Sequence, residues 1–254
     1  MGIAVERMSQ DTMLALRNIH RGERCFIVGN GPSLNKLELR KLDEEYSFSV
    51  NSIHYKVREN AFRPCYYVVE DRFVLIENIE EIRRLGARLK FFPKSYRSLI
   101  GDCENVVYFD LNLDFYKRES PYYHLPRFSH DCAERIFAGQ TVTYVNMQLA
   151  VYMGFSEIYL IGMDFDYKLP EKHGSVIVSS GDDENHFHKD YFGKGKTWQD
   201  PQLDMVARSY RQFALSAEFA GAQVFNATAG GKLELFPRVD FNSLFYDQGD
   251  KPHG

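Results

Sequence analysis

Short apolar runs alternate with longer amphipathic stretches along most of the chain. Strand-like runs fall at Cys25–Val28, Tyr46–Asn51, Cys65–Glu70, Arg88–Phe92 and Val106–Phe109, and charged stretches of helical period, such as Phe73–Leu85, lie between them. A longer helical pattern over Thr141–Met153 turns at Gly154 and feeds a strand at Glu157–Ile161; a helix over Pro201–Ala220 then precedes a strand at Gln223–Asn226. This alternation predicts a single α/β domain, a mostly parallel sheet flanked by helices. Residues 8–20 predict a short amphipathic helix packed on the outside, with Met13, Leu16 and Ile19 on one face. The expected organisation is a helical extension over 1–22, a main domain over 23–240 and a flexible tail over 241–254, with Gln248–Gly254 disordered.

Two segments break the pattern. Residues 168–200 are rich in Gly, Asp, Lys and His, a length that predicts a lid or binding loop. Pro121–Gly139, with Tyr122, Tyr123, His124, Arg127 and His130, reads as a surface excursion packed by its own aromatics or as a substrate-facing insertion.

The run Cys25–Val28 ends in Gly29-Asn30-Gly31-Pro32-Ser33, a strand delivering its C-terminal end to a turn. Two glycines let backbone approach a ligand closely, Pro32 suits a first helical turn, and free N–H groups there favour a phosphate. The dinucleotide fingerprint needs a third glycine, where this chain has Leu34, and an acidic residue roughly 20 positions on, where it has Asn51. A Rossmann-like mononucleotide site is therefore favoured over an NAD site. Asn51 can bond a ribose or base through its amide.

Composition narrows the classes. The chain has 254 residues, 44% hydrophobic and 26% charged, enough for one sizeable core. The net charge of −4 has no basic block behind it, which argues against a nucleic-acid partner. No run reaches the roughly 18 apolar residues of a membrane span, and the amino terminus shows neither a signal-peptide core nor a myristoylation pattern, so a cytoplasmic protein with at most peripheral membrane contact is expected. Cys25, Cys65, Cys103 and Cys132 form no CxxC pair and read as buried reduced thiols. A homo-oligomer is compatible with the sequence.

Strand ends gather polar groups. Asn30 and Ser33, then Asn51, then Glu70-Asp71-Arg72 follow successive strands, and Gly162-Met163-Asp164-Phe165-Asp166-Tyr167 follows the strand at Glu157–Ile161. Ligands in open α/β sheets bind at such ends. Glu70 and Asp71 can orient an acceptor hydroxyl or hold a cation, or cap the helix that begins near Phe73. One of Asp164 and Asp166 is expected to brace its loop. In Asn185-His186-Phe187-His188 two imidazoles lie in a polar loop; a general base, a zinc ligand and a solvated loop are all open, although no cysteine stands near to complete a zinc site. Tyr167 or Tyr191 can donate to a departing phosphate oxygen.

These motifs together resemble the bacterial sialyltransferases of the Campylobacter lipooligosaccharide type and the related motility-accessory-factor and MptE-like (6-hydroxymethylpterin pyrophosphokinase-like) domains. The shared features are Gly29-Asn30-Gly31-Pro32-Ser33-Leu34, Asn51, the block Ala150–Asp164 and the histidine-aromatic loop, spanning roughly residues 23–240. The resemblance implies that Asn30, Asn51 and the Thr141/Thr143 turn face a CMP-sugar donor, and Gly29, Gly31, Ser33, Gly162 and Asp164 at the strand ends are expected to complete the donor site. It also implies that His188 or His186 is the base of a metal-independent, inverting transfer of a nonulosonic acid to a glycan acceptor in bacterial lipopolysaccharide or capsule, with no cofactor. Two departures stand out: Thr141-Val142-Thr143 replaces the relatives' Thr-Ser-Gly turn, and His-Phe-His replaces their His-Tyr-x-Gly-His. The alternatives are pyrophosphoryl transfer from ATP to a pterin, with magnesium on Asp71, Asp164 or Asp166, and a non-catalytic nucleotide- or glycan-binding protein.

Overall fold

The structure, a computed structural model, describes residues 2–60, 62–170 and 174–245. The first half runs α1 (Gly2–Ala15), β1 (Arg24–Val28), β2 (Tyr46–Val50), α2 (His54–Asn60), β3 (Tyr66–Val68), α3 (Arg72–Glu77), α4 (Ile79–Arg84), β4 (Leu89–Pro93), α5 (Arg97–Ile100) and β5 (Val106–Phe109). An excursion pairing β6 (Leu111–Asn112) with β7 (Ile136–Phe137) leads to α6 (Thr143–Tyr152) and β8 (Glu157–Ile161). The short antiparallel pair β9 (Val176–Val178) and β10 (Thr197–Gln199), then α7 (Leu203–Phe219) and β11 (Gln223–Asn226), complete the order.

Seven strands form one parallel sheet in the order β11-β8-β1-β2-β3-β4-β5. From β1 the chain moves outward to β5, then returns to place β8 on the other side of β1. The switch of direction falls between β1 and β8, and there the crevice of an open α/β sheet opens.

Alternation along each strand divides the core. Cys25 and Ile27 of β1 face α6, α7 and Met13 of α1, whereas Phe26 and Val28 face α2 to α5 and the aromatics of the histidine loop. All ten residues of α6 are buried, as befits a helix enclosed on every side. Its Gln148 fastens the 121–139 excursion, accepting from Ser129 N at 3.1 Å and Phe137 N at 3.0 Å. The Arg127 guanidinium lies 3.9 Å from the Tyr122 ring and 4.3 Å from that of Phe137. The excursion is thus packed by its own aromatics.

Several expectations change. The first helix ends at Ala15 because the amides of Asn18 and His20 bond to the carbonyls of Tyr152 and Met153, at 3.1 and 2.9 Å, and the resulting turn carries Ile19 into solvent. The Phe73–Leu85 pattern is two helices broken at Asn78, whose side chain donates to Val74 O at 3.0 Å. The four thiols are free, but only Cys25 and Cys132 are buried; Cys65 is half-buried, and Cys103 is exposed because it lies in the loop before β5 rather than in a strand. Where the tail was expected to begin, Phe241 is buried and Asn242–Phe245 form a 3-10 turn; residues 246–254, including Gln248–Gly254, lie outside the described residues. Among the described residues no helix is long and apolar enough to cross a membrane.

Lys90 is a buried cation on β4. Its Nζ donates to Ile82 O at 3.1 Å and Arg83 O at 2.7 Å, closing the end of α4, and burial holds its pKa below the ordinary lysine value. Lys90→Met keeps the stem but strands two carbonyls. It is expected to lower stability by about 1–3 kcal/mol, read as a lower urea midpoint at unchanged m-value.

Candidate functional site

A cleft of about 550 Å³ opens at the C-terminal ends of β1, β2, β3 and β8. The turn after β1, the Glu70–Arg72 segment, the residues leading into α6, the stretch after β8 and the histidine loop enclose it. Of the residues picked out in the sequence, Gly29, Asn30, Gly31, Asn51, Glu70, Asp71, Arg72, Thr141, Thr143, Gly162, Asp164, Tyr167 and His186 line this one cleft. Ser33 and His188 do not.

The turn after β1 is built differently from its sequence-based expectation. Only a five-residue 3-10 segment, Pro32–Lys36, follows the glycines, so no full helix aims its N-terminus at the cleft. The Ser33 amide and hydroxyl both bind the Asp164 carboxylate, the hydroxyl at 2.6 Å. Gly31 N also donates to Gly162 O at 2.9 Å. The glycines are required by this junction: a Cβ on Gly31 would stand 1.8 Å from Asp164 Oδ2, and one on Gly29 would stand 2.5 Å from Gly162 O. Ser33 and Asp164 therefore tie two loops together, and the protein's own carboxylate occupies the place expected for a phosphate.

Asn30 and Asn51 form a polar wall. Asn30 Nδ2 donates to Val50 O at 3.1 Å and to the Tyr191 hydroxyl at 2.8 Å. The side-chain oxygens of both asparagines are buried, with no described donor. Asn51 holds the left-handed backbone at φ 47°, and its carbonyl accepts from the Tyr67 hydroxyl at 2.5 Å. Such a conformation is uncommon outside glycine and recurs at functional positions. Across the cleft, Thr141, Thr143 and Tyr210 form a line of hydroxyls at 2.9 and 3.0 Å.

The histidine loop delivers an acid–imidazole pair. His186 Nδ1 lies 2.8 Å from Asp183 Oδ2, and its ring stacks on Tyr191 with centroids 4.1 Å apart. Burial opposes ionisation of Asp183, yet the hydrogen bond and charge of His186, with the amides of Asn185 and Phe192, hold its carboxyl below the ordinary value. With Nδ1 engaged, Nε2 has no partner among the described residues and is the nitrogen available to a ligand. The loop is anchored at both flanks, Phe187 N donating to Asn30 O and Asn35 Nδ2 to Phe187 O, each at 2.9 Å. His188, the other expected base, points elsewhere: it stacks on Tyr55 at 4.2 Å and faces Glu59 outside the cleft. The two imidazoles take opposite directions here because the single residue between them, Phe187, is the buried anchor.

At the β3 end Asp71 caps α3, its Oδ1 accepting from Phe73 N at 2.7 Å and Val74 N at 3.1 Å. Burial and then the adjacent Asp71 push Glu70 up to about 7. The residues considered for magnesium do not converge: Asp71 caps its helix, Asp164 holds Ser33, and Asp166 pairs with Lys232 at 2.8 Å. Among the described residues no three His, Cys, Asp or Glu side chains group as metal ligands.

Asp183, Trp198, Tyr116 and Tyr210 also belong to the site and were not assigned roles from the sequence. An acidic residue three positions before His186 was the available signal, but Asp182 and Asp183 compete for it, and only the folded loop selects Asp183.

Sheet order and cleft position define a Rossmann-like α/β protein with a cleft at its switch point, into whose lining the acid–imidazole pair brings His186. The family model for 6-hydroxymethylpterin diphosphokinase MptE-like domains matches residues 4–169, more than half of the chain, and the chain belongs to that family. The solved MAf glycosyltransferase from Magnetospirillum magneticum AMB-1 is similar in fold, with a TM-score of 0.55 at 18% identity. That likeness covers 94% of this chain and 39% of the larger protein. No curated protein matches the chain.

Two outcomes follow from this geometry. Gly31→Ala is expected to lower Tm and cost about 1–3 kcal/mol, because the added methyl collides with Asp164. For Glu70, the raised pKa means a stability contribution complete below its ordinary 4.5 and lost as pH rises through about 7. Glu70→Gln removes that loss, so the variant's Tm should gain on wild type between pH 5 and pH 8 in scanning calorimetry.

Proposed function

We propose that the protein is a glycosyltransferase that moves a nonulosonic, sialic-acid-like sugar from a CMP donor to a hydroxyl of a bacterial surface glycan. The observation that carries this reading is the Asp183–His186 pair on a cleft at the switch point. The acceptor oxygen gives its proton to His186 Nε2 as it bonds the anomeric carbon, and the bond from that carbon to the phosphate oxygen breaks. Attack from the face opposite the leaving group inverts the centre. Asp183 keeps the ring oriented and stabilises the imidazolium. Tyr167, held protonated above the ordinary phenol value by burial and then by nearby Tyr191 and other acidic groups, donates to the leaving phosphate oxygen. Asn30 and Asn51 hold the nucleotide; Glu70, Asp71 and Arg72 face the acceptor. The fold likeness to a glycosyltransferase supports this assignment.

A second reading, diphosphoryl transfer to a hydroxymethylpterin, has the family's description behind it and one observation. Five carboxylates, Glu70, Asp71, Asp164, Asp166 and Asp200, line the cleft against the single arginine Arg72. That balance suits a phosphate accompanied by a cation, although the carboxylates do not form a cage for one.

Thermal-shift measurements with CMP, CDP, UDP, GDP and ATP, with and without magnesium, separate the two. CMP without magnesium is expected to stabilise the fold, by about 2.7 kcal/mol at a concentration of 100 Kd. Stabilisation confined to ATP with magnesium would favour diphosphoryl transfer.

Kinetics test the base. His186→Ala and Asp183→Asn are expected to lower kcat by about 10²–10⁴-fold at little changed CMP affinity, with His188→Ala close to wild type and wild-type turnover surviving EDTA. Full turnover in His186→Ala would remove the base from the proposal.

A further inference from the structure

Trp198 is the single tryptophan of the chain. It sits at the middle of β10, opposite Ile177 of β9, and lines the cleft while only 7% exposed. Its indole Nε1 is buried, and no described residue accepts from it. Phe192 stacks at 6.0 Å and Tyr167 at 6.5 Å, so neighbouring aromatics fix the ring plane. An indole nitrogen is a donor only, and a buried donor without a partner is a costly exception in folded proteins.

The place of Trp198 in the cleft says which part of a ligand it meets. Contacts run from Asn30 to Tyr191, from Tyr191 to His186, from His186 to Tyr167 and from Tyr167 to Trp198. The imidazole thus lies between the asparagine wall and the indole. Glu70 to Arg72 belong to a different wall, at the end of β3. With the nucleotide on the asparagines and the acceptor at β3, the hairpin wall is left to the transferred group.

We infer that the Trp198 Nε1–H is a specificity-determining donor, taking a carboxylate or carbonyl oxygen of the sugar being transferred. This rests on the CMP-donor reading above. The neutral N–H can satisfy an anionic oxygen without adding charge, in a cleft whose lining carries a single arginine.

The lone tryptophan makes the test direct, since its emission reports on this position alone. Wild-type protein is titrated with CMP and with CMP-N-acetylneuraminic acid while tryptophan emission and thermal shift are followed. Both ligands are expected to stabilise the fold, and only the sugar nucleotide should alter the emission. Trp198→Phe keeps an aromatic ring and removes the donor; its CMP affinity should stay within about twofold of wild type, while affinity for the sugar nucleotide falls about tenfold. An equal emission change with CMP alone, or equal affinities of variant and wild type for the sugar nucleotide, overturns the inference and leaves the CMP-donor reading standing. If neither ligand stabilises the protein, both fall together. Should the variant not fold, the wild-type emission decides.

Discussion

The junction between the turn after β1 and the loop after β8 is the constraint on which the site depends. Parallel strands that meet at a switch point send their chains to opposite faces, and something must hold the crevice walls at a fixed spacing. Here the Ser33 amide and hydroxyl grip Asp164, and Gly31 bonds to Gly162, with no room for a Cβ at Gly29, Gly31 or Gly162. The same loops carry Asn30 and Tyr167, so the polar wall and the tyrosine of the cleft inherit their separation from one carboxylate.

That carboxylate also sets the electrostatic character of the β1 turn. A strand-to-helix turn usually offers unsatisfied amides to a ligand anion, and this one offers them to Asp164. The wall around the β1 turn is left with neutral groups: the amides of Asn30 and Asn51, and across from them the hydroxyls of Thr141, Thr143 and Tyr210. Neutral donors and acceptors lose less on desolvation than charges do, and they discriminate by direction rather than by attraction at a distance.

Much of the architecture was legible in the sequence because it rests on local periodicity. Buried parallel strands read as short apolar runs, and their order along the chain gave the α/β class. Errors fell where tertiary contacts override local preference. The first helix stops at Ala15 because α6 offers carbonyls to the following turn, and the stretch after Phe73 breaks because Asn78 caps what precedes it. The clustering of strand-end residues into one cleft was also legible, since topology alone brings strand ends together. The direction of individual side chains was not. His186 and His188 are equivalent in composition and differ only in which side of the buried Phe187 they fall, and Asp71 is a cap because of where α3 begins.

The anchoring of Phe187 has a consequence for the order of the neighbouring imidazole. Backbone and side-chain bonds to Asn30 and Asn35 hold the residue beside His186, Asp183 fixes the ring, and Tyr191 supports its face. An imidazole so confined has lost its rotational freedom during folding, and no further ordering of that group is needed when a ligand arrives. In the proposed transfer, the entropy of positioning this imidazole is charged to the stability of the native state rather than to the barrier of each turnover.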